Sequence, residues 1–206
     1  MNEFQIYTDK LLEWNEKINL TAITNPEEIQ VKHFEDSLTC LKTGYIKDSD
    51  FVVDVGTGAG FPGLPLKIAN KSLRLTLMDS LNKRLMFLAD LTRELDLNVN
   101  IVHIRAEDAG KDMAYREKYD VAVSRAVANL RTLCEYCLPL VKPGGYVTVA
   151  HGMSRERINA HHSGAAAHVS NGLMEAKELS DIFARYLEVE TVISDDKMYQ
   201  VAGRKR

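Results

Sequence analysis

A chain of 206 residues is long enough to bury one core without disulfide or metal staples; 45% hydrophobic with 27% charged residues points to neither a disordered nor a membrane protein, and no apolar run approaches the length that spans a bilayer. The start MNEFQIYTDKLLEW lacks the basic head, apolar middle and cleavage site of a secretory signal, so a cytoplasmic protein without a membrane partner is expected. A net charge of -3 gives none of the basic surplus of an autonomous nucleic-acid binder, and three cysteines are an odd count for a disulfide framework.

In chain order, Phe4, Tyr7, Leu11, Trp14 and Ile18 recur at helical spacing and predict a helix from Phe4 to Leu20. Asn25 and Pro26 then open a second helical stretch to about Leu41. FVVDVG reads as a strand ended by glycines, followed by a helix from Pro62 to about Ala69. The alternation repeats with LRLTLMD as strand, Lys83 to Leu95 as helix, VNIVHIRAE and YDVAVSRA as strands, and Leu130 to Val141 as helix. After a KPGG turn at Lys142 to Gly145 comes a fifth strand, YVTVA. LEVETVI and MYQVAGR then predict a closing antiparallel pair around SDDK. Strands alternating with helices imply a mostly parallel, seven-stranded α/β sheet covered on both faces. The expected organisation is one domain over 1–206, with a helical extension over 1–47 and the core over 48–206. His151 to Gly172 carries no sustained periodicity and reads as loop or frayed helix.

The chemistry gathers around DVGTGAGFPG. Gly56, Gly58 and Gly60 let the backbone turn at the end of the first strand and approach a ligand without β-carbon clashes. In an open α/β sheet that ligand lies across the carboxyl ends of the strands, where the strand order reverses. Asp79 ends the second strand, placed for a carboxylate to accept from both hydroxyls of a ribose, or to cap the next helix. Ala106 and Glu107 follow the third strand, where a backbone N–H and a carboxylate can read an adenine edge. Ser124 and Arg125 follow the fourth, beside the reacting end.

Two cofactors compete for this turn. Gly58, Gly60 and Gly63 fit GxGxxG by letter, and a dinucleotide would need free N–H groups at the next helix to hold its pyrophosphate. Pro62 removes one of them, and the acids Asp54, Asp79 and Glu107 suit a sulfonium better than a diphosphate. Cys134 and Cys137 form a single CxxC on a predicted amphipathic helix and read as buried thiols rather than zinc ligands. His161, His162 and His168 lack partner ligands, and Trp14 reads as part of a core-facing stripe. No metal is expected.

The segments WNEKINLTAIT, VKHFEDSL, DVGTGAGFPGLPL, DSLNKR, RAED, SRAVANL and EYCLPLVKPGG, spanning Trp14 to Tyr146, closely resemble the glucose-inhibited division protein B family of bacterial 16S ribosomal RNA guanine-N7 methyltransferases. The resemblance implies a class I, Rossmann-like fold with S-adenosyl-L-methionine as cofactor. It also implies methyl transfer to N7 of one guanine in the 530 loop of 16S RNA. The family's pattern places Gly56, Phe61, Ala106, Glu107 and Arg125 at the cofactor, to which ribose chemistry adds Asp79. The implied partner is 16S rRNA in the small ribosomal subunit or an assembly intermediate, met by a monomer. Methylation at N7 loses no proton, so no catalytic base is expected. Beyond Tyr146, VAHGMSRERINAHH and the ending AGRKR depart from the family's ALKG-like segment and basic tail. An NAD(P)-linked oxidoreductase and a non-catalytic cofactor-binding ribosome-assembly factor are the alternative readings.

Overall fold

The computed structural model describes residues 2–125, 130–151, 176–185, 187–194 and 199–206. Helix α1 (Glu3–Asn15) starts where the Asn2 side chain accepts from the Phe4 N–H at 3.3 Å. It stops five residues short of the predicted Leu20, and Asn15 supplies the reason. The Asn15 side-chain oxygen accepts from the N–H groups of Leu20 (2.8 Å) and Thr21 (3.0 Å), while its amide donates to the Thr21 carbonyl at 3.0 Å. A side chain that satisfies three main-chain groups at once replaces the next helical turn with a pinned loop.

The second helical stretch, α2, begins at Pro26–Ile29 behind an Asn25 cap and widens into a π-helix over Gln30–Glu35. It returns to α over Asp36–Leu38 and tightens to a 3-10 turn over Thr39–Thr43. The apolar spacing predicts the helix but not its π-helical section, a feature often found at functional sites.

The core elements follow as β1 (Phe51–Val55), α3 (Gly63–Ala69), β2 (Arg74–Asp79), α4 (Asn82–Glu94), β3 (Asn100–His103), α5 (Ala106–Ala109) and β4 (Tyr119–Ser124). After them come α6 (Leu130–Cys137), β5 (Val141–His151), α7 (Ala176–Phe183), β6 (Leu187–Ser194) and β7 (Tyr199–Lys205). The sheet order is β3-β2-β1-β4-β5-β7-β6, parallel from β3 to β5, with β7 antiparallel to both β5 and β6. The closing hairpin is thus as expected, while residues 195–198 of its SDDK turn lie outside the described set. Two predicted boundaries move. β3 ends at His103, because Ala106 and Glu107 already belong to α5. The KPGG segment lies within β5 as a bulge, the pairing jumping from Tyr119↔Val141 to Val121↔Tyr146.

Alternation along β1 divides the core: Val52 packs on one face of the sheet, Val53 and Val55 on the other. The first face carries α1, α3 and α4 with Tyr7, Phe34, Phe87 and Leu88. Trp14 joins it as the sequence stripe predicts, its ring edge on Phe87 and its Nε1–H donating to Asp90 at 3.0 Å. The second face carries Leu133, Cys134, Cys137 and Phe183, and burial pushes both thiols well above the ordinary cysteine value. Among the described residues no cluster of His, Cys, Asp or Glu is arranged to hold a metal, and no helix is long and apolar enough to cross a membrane. The readings of His161, His162 and His168, and of the stretch beyond His151, lie outside the described residues.

Candidate active site

Strand order reverses between β1 and β4, and a cavity of about 670 Å³ opens at their carboxyl ends. Its floor is the turn after β1. Gly56, Gly58 and Gly60 all take positive φ (68°, 60° and 94°), a region that costs other residues steric strain. The N–H groups of Gly56 and Thr57 donate to the Met78 carbonyl at 2.9 and 3.0 Å, tying the turn to β2. Asp54 holds it from beneath: its Oδ2 accepts from the Thr57 hydroxyl at 2.7 Å and the Gly63 N–H at 2.9 Å. Asp54 is fully buried and does not line the cavity, and burial raises its pKa to about 6. Of the three acids that the sequence gathers around the turn, this one is structural.

Asp79 does line the cavity, yet its carboxylate also braces the turn. Oδ2 accepts from the Gly58 N–H at 2.9 Å and from Arg84 at 3.3 Å, and Oδ1 accepts from the Leu81 N–H at 2.8 Å. The bond to Leu81, the residue preceding α4, answers in part to its reading as a cap of the next helix. Ala106 opens α5 on the cavity wall, and the exposed Glu107 accepts from the Tyr136 hydroxyl at 2.9 Å. The six residues singled out from the sequence, Gly56, Phe61, Asp79, Ala106, Glu107 and Arg125, all reach this one cavity.

The opposite wall comes from the N-terminal extension. Phe61 is buried, with its ring stacked on Tyr7 (centroids 5.2 Å apart) and on His33 (4.6 Å). The Tyr7 hydroxyl donates to the Ala59 carbonyl at 2.5 Å and so reaches into the glycine turn itself. Arg125 places its guanidinium 4.9 Å over Phe61 and donates to Asp36 at 2.6 Å and to the Lys32 carbonyl at 3.2 Å. Its Nη2 lies 3.1 Å from His33 Nδ1. Arginine only donates, so Nδ1 accepts and the imidazole proton resides on Nε2, which points at the Thr21 hydroxyl 2.8 Å away. Burial first, then the Arg125 charge, holds the His33 pKa down at about 4, so the ring is neutral at pH 7. Burial likewise raises the Asp36 carboxyl despite its arginine partner, and Asp36 Oδ1 has no hydrogen-bond partner among the described residues.

The GidB family model, described as rRNA small subunit methyltransferase G, matches residues 1–180. The chain belongs to this family. A relative from Alkaliphilus metalliredigens, named ribosomal RNA small subunit methyltransferase G, is 50% identical over 191 residues, covering 90% of this chain and 80% of its own length. One of the same name from a Thermoanaerobacter species is 46% identical, covering 87% and 75%. Another, from Alkaliphilus oremlandii, is 55% identical over 74% of this chain but only 64% of its own length. Among solved structures, an S-adenosylmethionine-dependent methyltransferase from Aquifex aeolicus superposes with a TM-score of 0.62 at 16% identity, covering 95% of this chain and 98% of its own.

Membership corrects one limit of the sequence reading, since the family match continues past Tyr146 to residue 180. By family and fold the chain is an S-adenosylmethionine-dependent methyltransferase, and the oxidoreductase alternative is not favoured. What sequence reasoning missed is the extension's share of the site. Tyr7, Thr21, His33 and Asp36 had no assigned role, although Thr21, His33 and Asp36 lie within the segments WNEKINLTAIT and VKHFEDSL that carry the family resemblance. Tyr136 likewise enters the sequence reading only as part of the helix from Leu130 and of the segment EYCLPLVKPGG, with no site role.

Proposed function

We propose that this chain transfers a methyl group from S-adenosylmethionine to N7 of a guanine in the 530 loop of 16S ribosomal RNA. It acts as a monomer on the small subunit or an assembly intermediate. The names of its relatives support a ribosomal RNA substrate, and the family resemblance supplies the finer target. The observation that supports the cofactor choice is the state of α3, the helix after the glycine turn. A pyrophosphate needs free N–H groups there. The Gly63 N–H is taken by Asp54, that of Leu64 by the Gly60 carbonyl and that of Leu66 by the Pro62 carbonyl, while Pro62 and Pro65 have none. A nucleoside carrying a sulfonium needs no such donors.

In this reading Gly56 lets the cofactor approach the main chain, and Asp79 keeps acceptor capacity for ribose hydroxyls beyond the bonds it makes to the turn. Ala106 and Glu107 read the adenine, and Phe61 and Arg125 close the reacting end. The bound cofactor supplies an electrophilic methyl on a sulfonium. Guanine N7 offers an in-plane lone pair and releases no proton, so the chain's residues contribute alignment and exclusion of water rather than acid–base chemistry. Residues 1–47 belong to the same single domain as the core, in keeping with the contacts of Tyr7, His33 and Asp36. Incubation with labelled cofactor and small-subunit particles lacking the modification should place label on N7 of that guanine. Label on another base, or stabilisation by NAD(H) but not by S-adenosylhomocysteine, would overturn the reading.

A further inference from the structure

A second groove, of about 750 Å³, lies beside the cofactor cavity. One side is the turn Asn15–Asn19 that follows α1. The other is the segment from Ser80 to Arg84 that opens α4, with His103 at the end of β3. The two cavities share Ser80 and Arg84 as a common rim. In a chain of net charge -3, the groove brings together Lys17, Lys83 and Arg84 against one acid, Glu16.

These cations are engaged unequally. Lys17, 60% exposed, shares its charge with Glu13 at 2.9 Å, and Arg84, 38% exposed, with Asp79 at 3.3 Å. Lys83 is exposed and has no ion pair among the described residues. Asn19 and Asn82 add amide groups that both donate and accept, and the His103 Nε2–H is spent on the Ser80 carbonyl at 3.0 Å. Exposed ammonium groups with amides between them match phosphate oxygens and ribose hydroxyls, whereas an acidic helix would need an apolar seam that Ile18 and Leu81 alone do not supply.

We propose that this groove binds the ribose–phosphate backbone of the nucleotides flanking the target guanine, with Arg84 and Ser80 at the point where the strand passes from the cavity into the groove. The proposal rests on the RNA-methyltransferase reading above. A base presented to a buried methyl donor must leave its stack, which splays the backbone on either side and leaves those phosphates to be held by the protein. The shared rim joins the cavity directly to the groove, and the local positive charge offsets the acidic balance of the whole chain.

The test compares the double variant Lys17→Ala/Lys83→Ala with Lys118→Ala, which removes an exposed charge just before β4, at the amino ends of the strands and away from the cavity at their carboxyl ends. Affinity for S-adenosylhomocysteine is measured by calorimetry, and methylation of unmodified small-subunit particles over a range of salt. The double variant should bind S-adenosylhomocysteine as the wild type does. Its KM for particles should rise about fivefold for each lysine, and the salt slope should fall by roughly 0.7 for each phosphate that the protein no longer neutralises. Equal KM and salt slope for the double variant and Lys118→Ala would overturn the proposal. Failure of the wild type itself to bind S-adenosylhomocysteine would instead overturn the reading on which it rests.

Discussion

The two walls of the cavity are held by different kinds of bond over different spans of chain. The strand wall, from Asp54 to Gly63 with Asp79, is secured by main-chain N–H groups reaching carboxylates at most 21 positions away. The extension wall is secured by stacked rings and by a charged group 89 positions from its partner, Arg125 on Asp36. The first can form once β1, α3 and β2 have met. The second also needs β4 to deliver Arg125, so the two halves rest on separate sets of contacts, joined where Tyr7 and His33 stack on Phe61 and Tyr7 bonds to Ala59.

Substitutions can break that separation at either side. The largest effect is expected from Asp36→Ala, because Arg125 and Asp36 are only 13% and 7% exposed and the change leaves a buried cation unpaired. A drop of about 3 kcal/mol in urea unfolding is expected. A variant as stable as the wild type would show that Arg125 finds another partner and that the extension wall is not held by this pair. Next comes Gly63→Ala, whose new methyl would sit 2.8 Å from Asp54 Oδ2 and 3.0 Å from Leu77, both buried. Stability should fall by about 1–3 kcal/mol, with weakened S-adenosylhomocysteine binding; unchanged binding would mean the turn tolerates displacement of Asp54.

A third expectation sharpens the comparison rather than breaking it. His33 has its pKa lowered to about 4 from 6.5, so between those values the unfolded chain binds more protons than the folded one. The stability advantage of wild type over His33→Gln should therefore grow as pH rises from 4 to 6.5, and shrink as pH falls back through that window. Chemical denaturation of both proteins across the range checks this, and a pH-independent difference would place the ring's neutral state in doubt.

Much of the strand wall was legible because its constraints are local. A glycine needed for positive φ, a proline without an N–H and an acid closing a strand each announce their geometry within a few positions, and Gly56, Asp79 and Glu107 duly reach the cavity. The sheet followed from alternation alone. The extension wall was not legible for the converse reason. Nothing near His33 says that its ring will stack on Phe61, or that Asp36 will meet Arg125, since those contacts exist only once the sheet has brought distant segments together. Asp54 shows the same limit in reverse, for local sequence cannot tell a carboxylate facing a ligand from one turned inward under a loop. The π-helical section of α2 was equally hidden, its apolar spacing being that of an ordinary helix.

β7 lies inside the sheet, between β5 and β6, although it is the last element along the chain. Until Tyr199–Lys205 arrive, β5 has a neighbour on one side only, and β6 has no place to dock. A growing polypeptide therefore carries an unpaired row of main-chain donors and acceptors through the synthesis of everything from residue 152 to 198, the kind of edge to which a second copy can zip. Premature association during biosynthesis, rather than unfolding of the finished protein, is the hazard this topology creates.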